Sequence, residues 1–356
     1  MSWLVLLSAA VFAQARAIDA AHDGNCQAPV WAPGGERLAY EVNDHSRRSI
    51  ALFIYTPGQP PRQIAPRPSP SALAAGFSTA EGEQVVHDAV WSPPELATFL
   101  YTAPSAAEDY DIYLHGGGAL VESPGADGGA AWSPDGRYVA FTSARTGQGD
   151  LYLIDTHDVT APATQLTDAP DTSELYAAFS PDSRGLAFVG HTDEGDQIFW
   201  IPDVTAAPMQ AQPLVALGHT QTRPRYSPDG ATLAFYSDHT QPGRFDLYVL
   251  DVESRALTLI DEGVLLNHRG PSWTPDGAHL VYVRDDDNQL DPVWTAPLAD
   301  PGAAKPLQTG TVGNRDLDIV AGGDGQLWLA VAAQGSVGTG AERDFHRIFV
   351  APLQLP

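Results

Sequence analysis

Apolar and polar positions along this chain alternate in short runs, and after the first fifteen residues no helical period of useful length competes with them. The clearest run is "AAWSPDGRYVAF", Ala130 to Phe141, and close copies of it recur. The aromatic residue that precedes Ser-Pro-Asp, or Thr-Pro-Asp in the last case, falls at Trp132, Phe179, Tyr226 and Trp273, each 47 residues after the last. A further 47 residues lead to Val320 in the degraded copy "IVAGGDGQLWLA". Upstream copies centre on Trp91 in "AVWSPPELATFLY" and Trp31 in "PVWAPGGERLAY", which makes seven.

Each copy predicts a β-hairpin. Pro134 pre-sets φ for the second turn position, Asp135 suits the third, and Gly136 supplies the positive φ that closes the turn. Beyond the turn come the pairs Val139/Phe141, Leu186/Phe188, Leu233/Phe235 and Leu280/Tyr282, separated by Ala140, Ala187, Ala234 and Val281. A strand apolar on both faces is covered on both sides. A third strand opens on aspartate, at Asp111, Asp150, Asp196, Asp246 and Asp291, and a shorter fourth follows, such as "ATQLT" or "ALTLI". Four short strands per repeat predict an all-β fold, a β-propeller of four-stranded antiparallel blades, with seven blades expected and six as the alternative. Recurrence of the Ser/Thr-Pro-Asp turn from copy to copy marks turn chemistry, so no catalytic role is expected for it.

The segment "RYSPDGATLAFYSDHTQPGRFDLYVLDV", Arg225 to Val252, resembles the PD40, or WD40-like, repeat of the TolB family of bacterial periplasmic propellers. The resemblance runs over about residues 25 to 356 and is strongest between 126 and 285. It implies a propeller of the bacterial envelope that binds rather than catalyses. Two features depart from TolB itself: nothing like its α/β domain lies before Trp31, and seven copies stand where TolB has six blades. The Ser-Pro-Asp-Gly turns are expected on one face together with the links between blades. The more variable loops before the aromatics and before the aspartate strands are expected on the other. Ring closure calls for a strand near Ile18 or the C-terminal Leu353-Gln354-Leu355 as the innermost strand of the Trp31 blade, and the sequence leaves both open. The Pro57–Gln84 stretch is expected as a surface excursion.

Composition narrows the partners. Against 44 acidic residues stand 19 basic ones, a formal charge of −25, which argues against nucleic acid. Cys26 is the sole cysteine, so an internal disulfide and a cysteine zinc cluster are excluded. The opening "MSWLVLLSAAVFAQA" carries a short apolar run ending in Ala13-Gln14-Ala15, the pattern of a secretory signal peptide over 1–15. It is too short to span a bilayer. A periplasmic or secreted, monomeric propeller over 16–356, without a transmembrane segment, is the expectation.

Candidate binding residues precede the aromatics: His87, Glu174, Tyr176, Arg223, His268, Arg269 and Arg315. Arg223, Arg269 and Arg315 are 46 residues apart, which points three successive blades' arginines at one rim, suited to a carboxylate. The alternative is local pairing with Glu174, Glu194, Asp285 to Asp287 or Asp316. His191, His219, His239 and His268 show no i, i+2 or i, i+4 pairing, so no metal site is assigned to them. The loop Arg284 to Asp291 reads as a solvated turn, with calcium or another divalent metal as the alternative; no cofactor is otherwise expected. No G-x-S-x-G occurs, since Gln334 precedes Gly335-Ser336 where glycine is required, which removes an α/β-hydrolase reading. The function expected is a non-catalytic module for a protein, peptide or glycan ligand. The alternative is a channel-centred enzyme of the oligogalacturonate lyase type, with arginine neutralising a uronate carboxylate.

Overall fold

Every copy of the repeat closes on itself as one sheet. In the third blade the strands Asp127–Trp132, Tyr138–Ser143, Asp150–Asp155 and Thr164–Gln165 pair antiparallel in chain order. The turn between the first two has the predicted chemistry. Gly136 N–H donates to Ser133 O, and Gly136 lies at φ 72°. The Ser133 hydroxyl donates to Asp135 Oδ1 at 2.6 Å and accepts from Tyr138 N–H at 2.8 Å. Ser180, Ser227 and Thr274 repeat this arrangement, so these hydroxyls are spent on the scaffold.

The computed structural model describes residues 15–18, 24–45, 48–64, 85–105, 107, 109–147, 149–168, 173–206, 211–286, 290–336 and 345–355. Among these the chain builds seven four-stranded antiparallel sheets. The signal-like segment 1–14 and the stretch 65–84 lie outside the described residues; within Pro57–Gln84, Arg62–Ile64 forms the fourth strand of the first blade.

Seven apolar clusters, one between each pair of neighbouring sheets, close the sheets into a ring. Val139 and Phe141 pack toward the second blade, while Ala140, between them, packs toward the fourth. Leu233 and Phe235 likewise face the fourth blade, and Ala234 faces the sixth. Large side chains on one face meet small ones on the next, which lets radial sheets nest at interior density. Within blades, directly opposed rings stack: Phe141 on Tyr152 at 5.9 Å, Phe188 on Phe199 at 5.8 Å and Phe235 on Tyr248 at 5.9 Å.

Three details differ from expectation. Asn25–Trp31 is itself the innermost strand of the first blade, and Arg16–Ala17 supplies the outermost strand of the seventh, paired with Arg347–Leu353. The N-terminal segment thus closes the ring at its edge rather than at its centre. Because the Ser-Pro-Asp-Gly turn joins the first and second strands, it shares a face with the turns between third and fourth. The links between blades therefore emerge on the opposite face. In the seventh blade the turn is one residue shorter: Gly322 N–H bonds Gln326 O where Ser227 N–H bonds Thr232 O, so Ala321, not Val320, takes the aromatic's place.

Candidate functional site

The innermost strands share a feature that alternation alone does not suggest. A residue three positions before the aromatic adopts positive φ in six blades: Ala28, Asp88, Gly129, Tyr176, Arg223 and Gly270. In five of these strands the pairing register shifts at the same place, the mark of a β-bulge. Where the residue is not glycine the bulge re-aims its side chain, and Asp88, Tyr176 and Arg223 line a central cavity of about 730 Å³.

The sixth blade completes this cavity by departing from the pattern. Its innermost strand is only Ser272–Trp273, and the preceding residues turn across the mouth of the channel. Gly270, at φ 93°, lies so close to the fifth blade that a Cβ there would stand 2.8 Å from Arg223 O. Only glycine allows that approach. The segment delivers His268 and Arg269 to the cavity, and Asn267 anchors it by donating to Leu317 O at 2.8 Å. Asp316 Oδ1 accepts from His268 N–H at 2.7 Å.

Three guanidinium groups therefore meet in the channel: Arg223, Arg269 and Arg225, the last donating to Arg269 O at 3.1 Å. Arg223 lies over the Tyr176 ring at 5.2 Å. Nε and Nη1 of Arg223 and Nε of Arg269 are buried without a hydrogen-bond partner among the described residues. Arginine ion pairs do form elsewhere, Arg137–Asp155, Arg145–Asp127, Arg184–Asp203 and Arg284–Asp261, but they involve none of the channel arginines. The facing carboxylates are engaged. Asp318 accepts from Trp31 N–H at 2.8 Å, and burial raises its carboxyl above the ordinary value despite Arg225 and Arg269 nearby.

Asp88 is held from both sides. His87 Nδ1 lies 2.8 Å from Asp88 Oδ2, and His268 Nε2 lies 3.3 Å from Asp88 Oδ1, across the channel mouth from the sixth blade to the second. Glu41 accepts from Asp88 N–H at 2.8 Å and from Gln27 Nε2 at 3.0 Å. Burial alone would raise the Asp88 carboxyl, yet the bonds from His268 and His87 hold it well below its usual range. Burial pulls His87 down, but Asp88 outweighs it and leaves His87 raised. The Asp88 hydrogen bond raises His268 against its burial.

The sequence-derived candidates divide. His87, Tyr176, Arg223, His268 and Arg269 gather around the channel and its mouth. Arg315 does not join them. It is exposed on the seventh blade, beside His346, which burial and the Arg315 charge push down to about 4. The even 46-residue spacing is out of phase with the 47-residue repeat, so the three arginines do not occupy equivalent positions. Glu174 is buried and accepts from Thr167 Oγ1 at 3.1 Å, away from the channel lining. His191 and His239 instead bond Asp196 and Ser237 of their own blades. Residues 287–289 of the acidic loop lie outside the described residues, and Asp286 Oδ1 accepts from Leu290 and Asp291 N–H. Sequence reasoning missed Asp88, Arg225, Asp318 and Glu41. Counting back from each aromatic would have found Asp88, because the bulge sits at a fixed offset.

The profile of PD40, the TolB beta propeller domain, matches residues 110–309. The uncharacterized protein Atu1656 of Agrobacterium fabrum is 25% identical over 206 residues, 56% of this chain and 66% of that protein. TolB from Acinetobacter baumannii superposes with a TM-score of 0.54 at 16% identity, covering 91% of this chain and 65% of that one. The tricorn protease superposes at 0.51 and 14% identity over 79% of this chain and 30% of its own. The chain thus spans just under two thirds of Atu1656 and of that TolB, and the likeness to the solved structures is one of fold.

Proposed function

The chain belongs to the PD40 family of TolB beta propeller domains, and from that premise we propose that it is a non-catalytic binding module whose central channel receives an anionic group. The ligand is a protein, peptide or glycan carrying a carboxylate or a similar planar anion. One observation carries this reading: Arg223 and Arg269 line a cavity of about 730 Å³ and each holds buried guanidinium nitrogens without partners among the described residues. Leaving such donors unmet costs on the order of 1–3 kcal/mol each, a cost that an incoming anion removes. The local balance also favours it. Among the residues lining this cavity, Arg223, Arg225 and Arg269 outnumber Asp88 and Asp318, in a chain of formal charge −25. The exposed rings and chains of Tyr176 and Leu175 beside the arginines offer apolar contact to the rest of the ligand.

Export to the periplasm or beyond belongs to the same proposal. It rests on the apolar run ending in Ala13-Gln14-Ala15; cleavage after Ala15 would leave the closing strand Arg16–Ala17 intact. The test is a thermal-shift panel of acidic peptides, their C-terminal amides and oligogalacturonates. Carboxylate-bearing members are expected to raise the melting temperature of the wild type, and Arg223→Ala with Arg269→Ala to abolish the shift. A shift that survives the double replacement would overturn the channel assignment.

A further inference from the structure

We propose that Glu41, His87, Asp88 and His268 form a binding site for one divalent transition-metal ion of the zinc class at the mouth of the channel. Glu41, His87 and Asp88 each offer one ligand atom, and these atoms lie within 4.8 Å of one another. His268 brings a second imidazole to the same carboxylate, with Nε2 3.3 Å from Asp88 Oδ1. In a tetrahedral zinc site with bonds of about 2.0–2.2 Å, neighbouring donors stand roughly 3.4 Å apart. Glu41, His87 and Asp88 already stand near that spacing, and His268, held on Asp88, completes the set by turning its imidazole toward the other two.

Their chemistry selects the class. Two imidazoles with two carboxylates suit zinc, cobalt or nickel, whereas calcium takes six to eight oxygens. Glu41 is almost fully buried, and its carboxylate lies close to that of Asp88, so a cation relieves like-charge crowding. Ions have a route in. Asp88 lines both the central cavity and a second cavity of about 480 Å³, which His87 and Tyr110 also border. Outer contacts fix the donors: Gln27 donates to Glu41 at 3.0 Å, and the His87 ring meets Tyr110 edge-on at 5.9 Å. The donors come from the first, second and sixth blades, so a bound ion ties the segment carrying His268 and Arg269 to the opposite side of the channel.

The site uses none of the arginines, so its test is separate from that of anion binding. The full chain, stripped with chelator, is titrated with Co²⁺ and Zn²⁺ by visible absorption and calorimetry. One equivalent is expected, with a cobalt spectrum of mixed nitrogen and oxygen ligation in four-coordinate geometry. His87→Ala and His268→Ala should each weaken binding at least tenfold, and Glu41→Gln, which keeps the hydrogen bond from Asp88 N–H, should do the same in a protein of unchanged circular dichroism. His191→Ala and His239→Ala should leave it unchanged. No saturable binding, binding lost only on replacing His191 or His239, or calcium bound as tightly as zinc would each overturn the proposal.

Discussion

Single residues in this chain are set by position within the blade, and Asp111 shows it most sharply. It is the second residue of the third strand Tyr110–Leu114, where Asp150 and Asp246 open theirs, and it is fully buried with Oδ1 lacking a partner among the described residues. Burial, then the neighbouring Asp109 charge, pushes its carboxyl from 3.8 up to about 7. A carboxyl raised on folding stabilises least when ionised, so its contribution declines as pH rises from about 4 through 7. Asp111→Asn, whose amide suits the acidic surroundings, should match wild-type stability near pH 4, where the decline begins. By pH 8 it should exceed it by on the order of 1–2 kcal/mol in urea unfolding. Equal stability of the two proteins across that range would refute the assignment. The aspartates of the turns behave oppositely. Asp182, Asp229 and Asp276 sit below the ordinary carboxylate value because Ser180, Ser227 and Thr274 donate to them. What they add is present above about 4 and is lost as the pH falls through their lowered values.

At the scale of one strand or turn, two substitutions separate scaffold from site. Ser227→Ala removes the acceptor of Thr232 N–H and the donor to Asp229, and should cost about 1–2 kcal/mol with ligand binding unchanged. A loss of binding without loss of stability would give that serine a role the turn does not predict. Gly270→Ala should do the reverse. The added methyl has no room beside Arg223 O, so the segment bearing His268 and Arg269 must move, and anion binding should fall at least tenfold. Calorimetric affinities for the two variants decide both points. The sequence made the hairpins legible because Pro-Asp-Gly and two-sided apolar strands are local signals. It hid the bulges, since a register shift depends on the partner strand. It also hid the crossing of residues 267–271, which the two-residue strand Ser272–Trp273 permits.

Over the whole molecule, the 47-residue period specified the ring, while closure and the channel's contents depended on distant meetings. Asp88 and His268 are 180 residues apart, and Glu41 and Asp88 47 apart, so no local motif announces them. Arg315 shows the converse, a regular spacing that the shifted phase of the seventh blade voids. Closure rests on a small element. Arg16 and Ala17 pair with Val350 and Phe349, and Ile18 N–H bonds Ile348 O at 3.0 Å. A chain starting at Ser49 would lose half a blade besides; one starting at Gly24 loses, among the described residues, only the clasp 15–18 and so bares the edge of Arg347–Leu353. The latter should melt a few degrees lower and self-associate in size-exclusion chromatography. Unaltered melting and elution would mean that the clasp contributes nothing.

The central claim, that the channel arginines hold an anion, is tested most directly by anomalous diffraction from crystals soaked in bromide. A bromide peak within hydrogen-bonding distance of Arg223 and Arg269, absent from Arg223→Ala crystals, is the predicted result. Bromide found only on the outer surface, with the channel empty of it, would contradict the account.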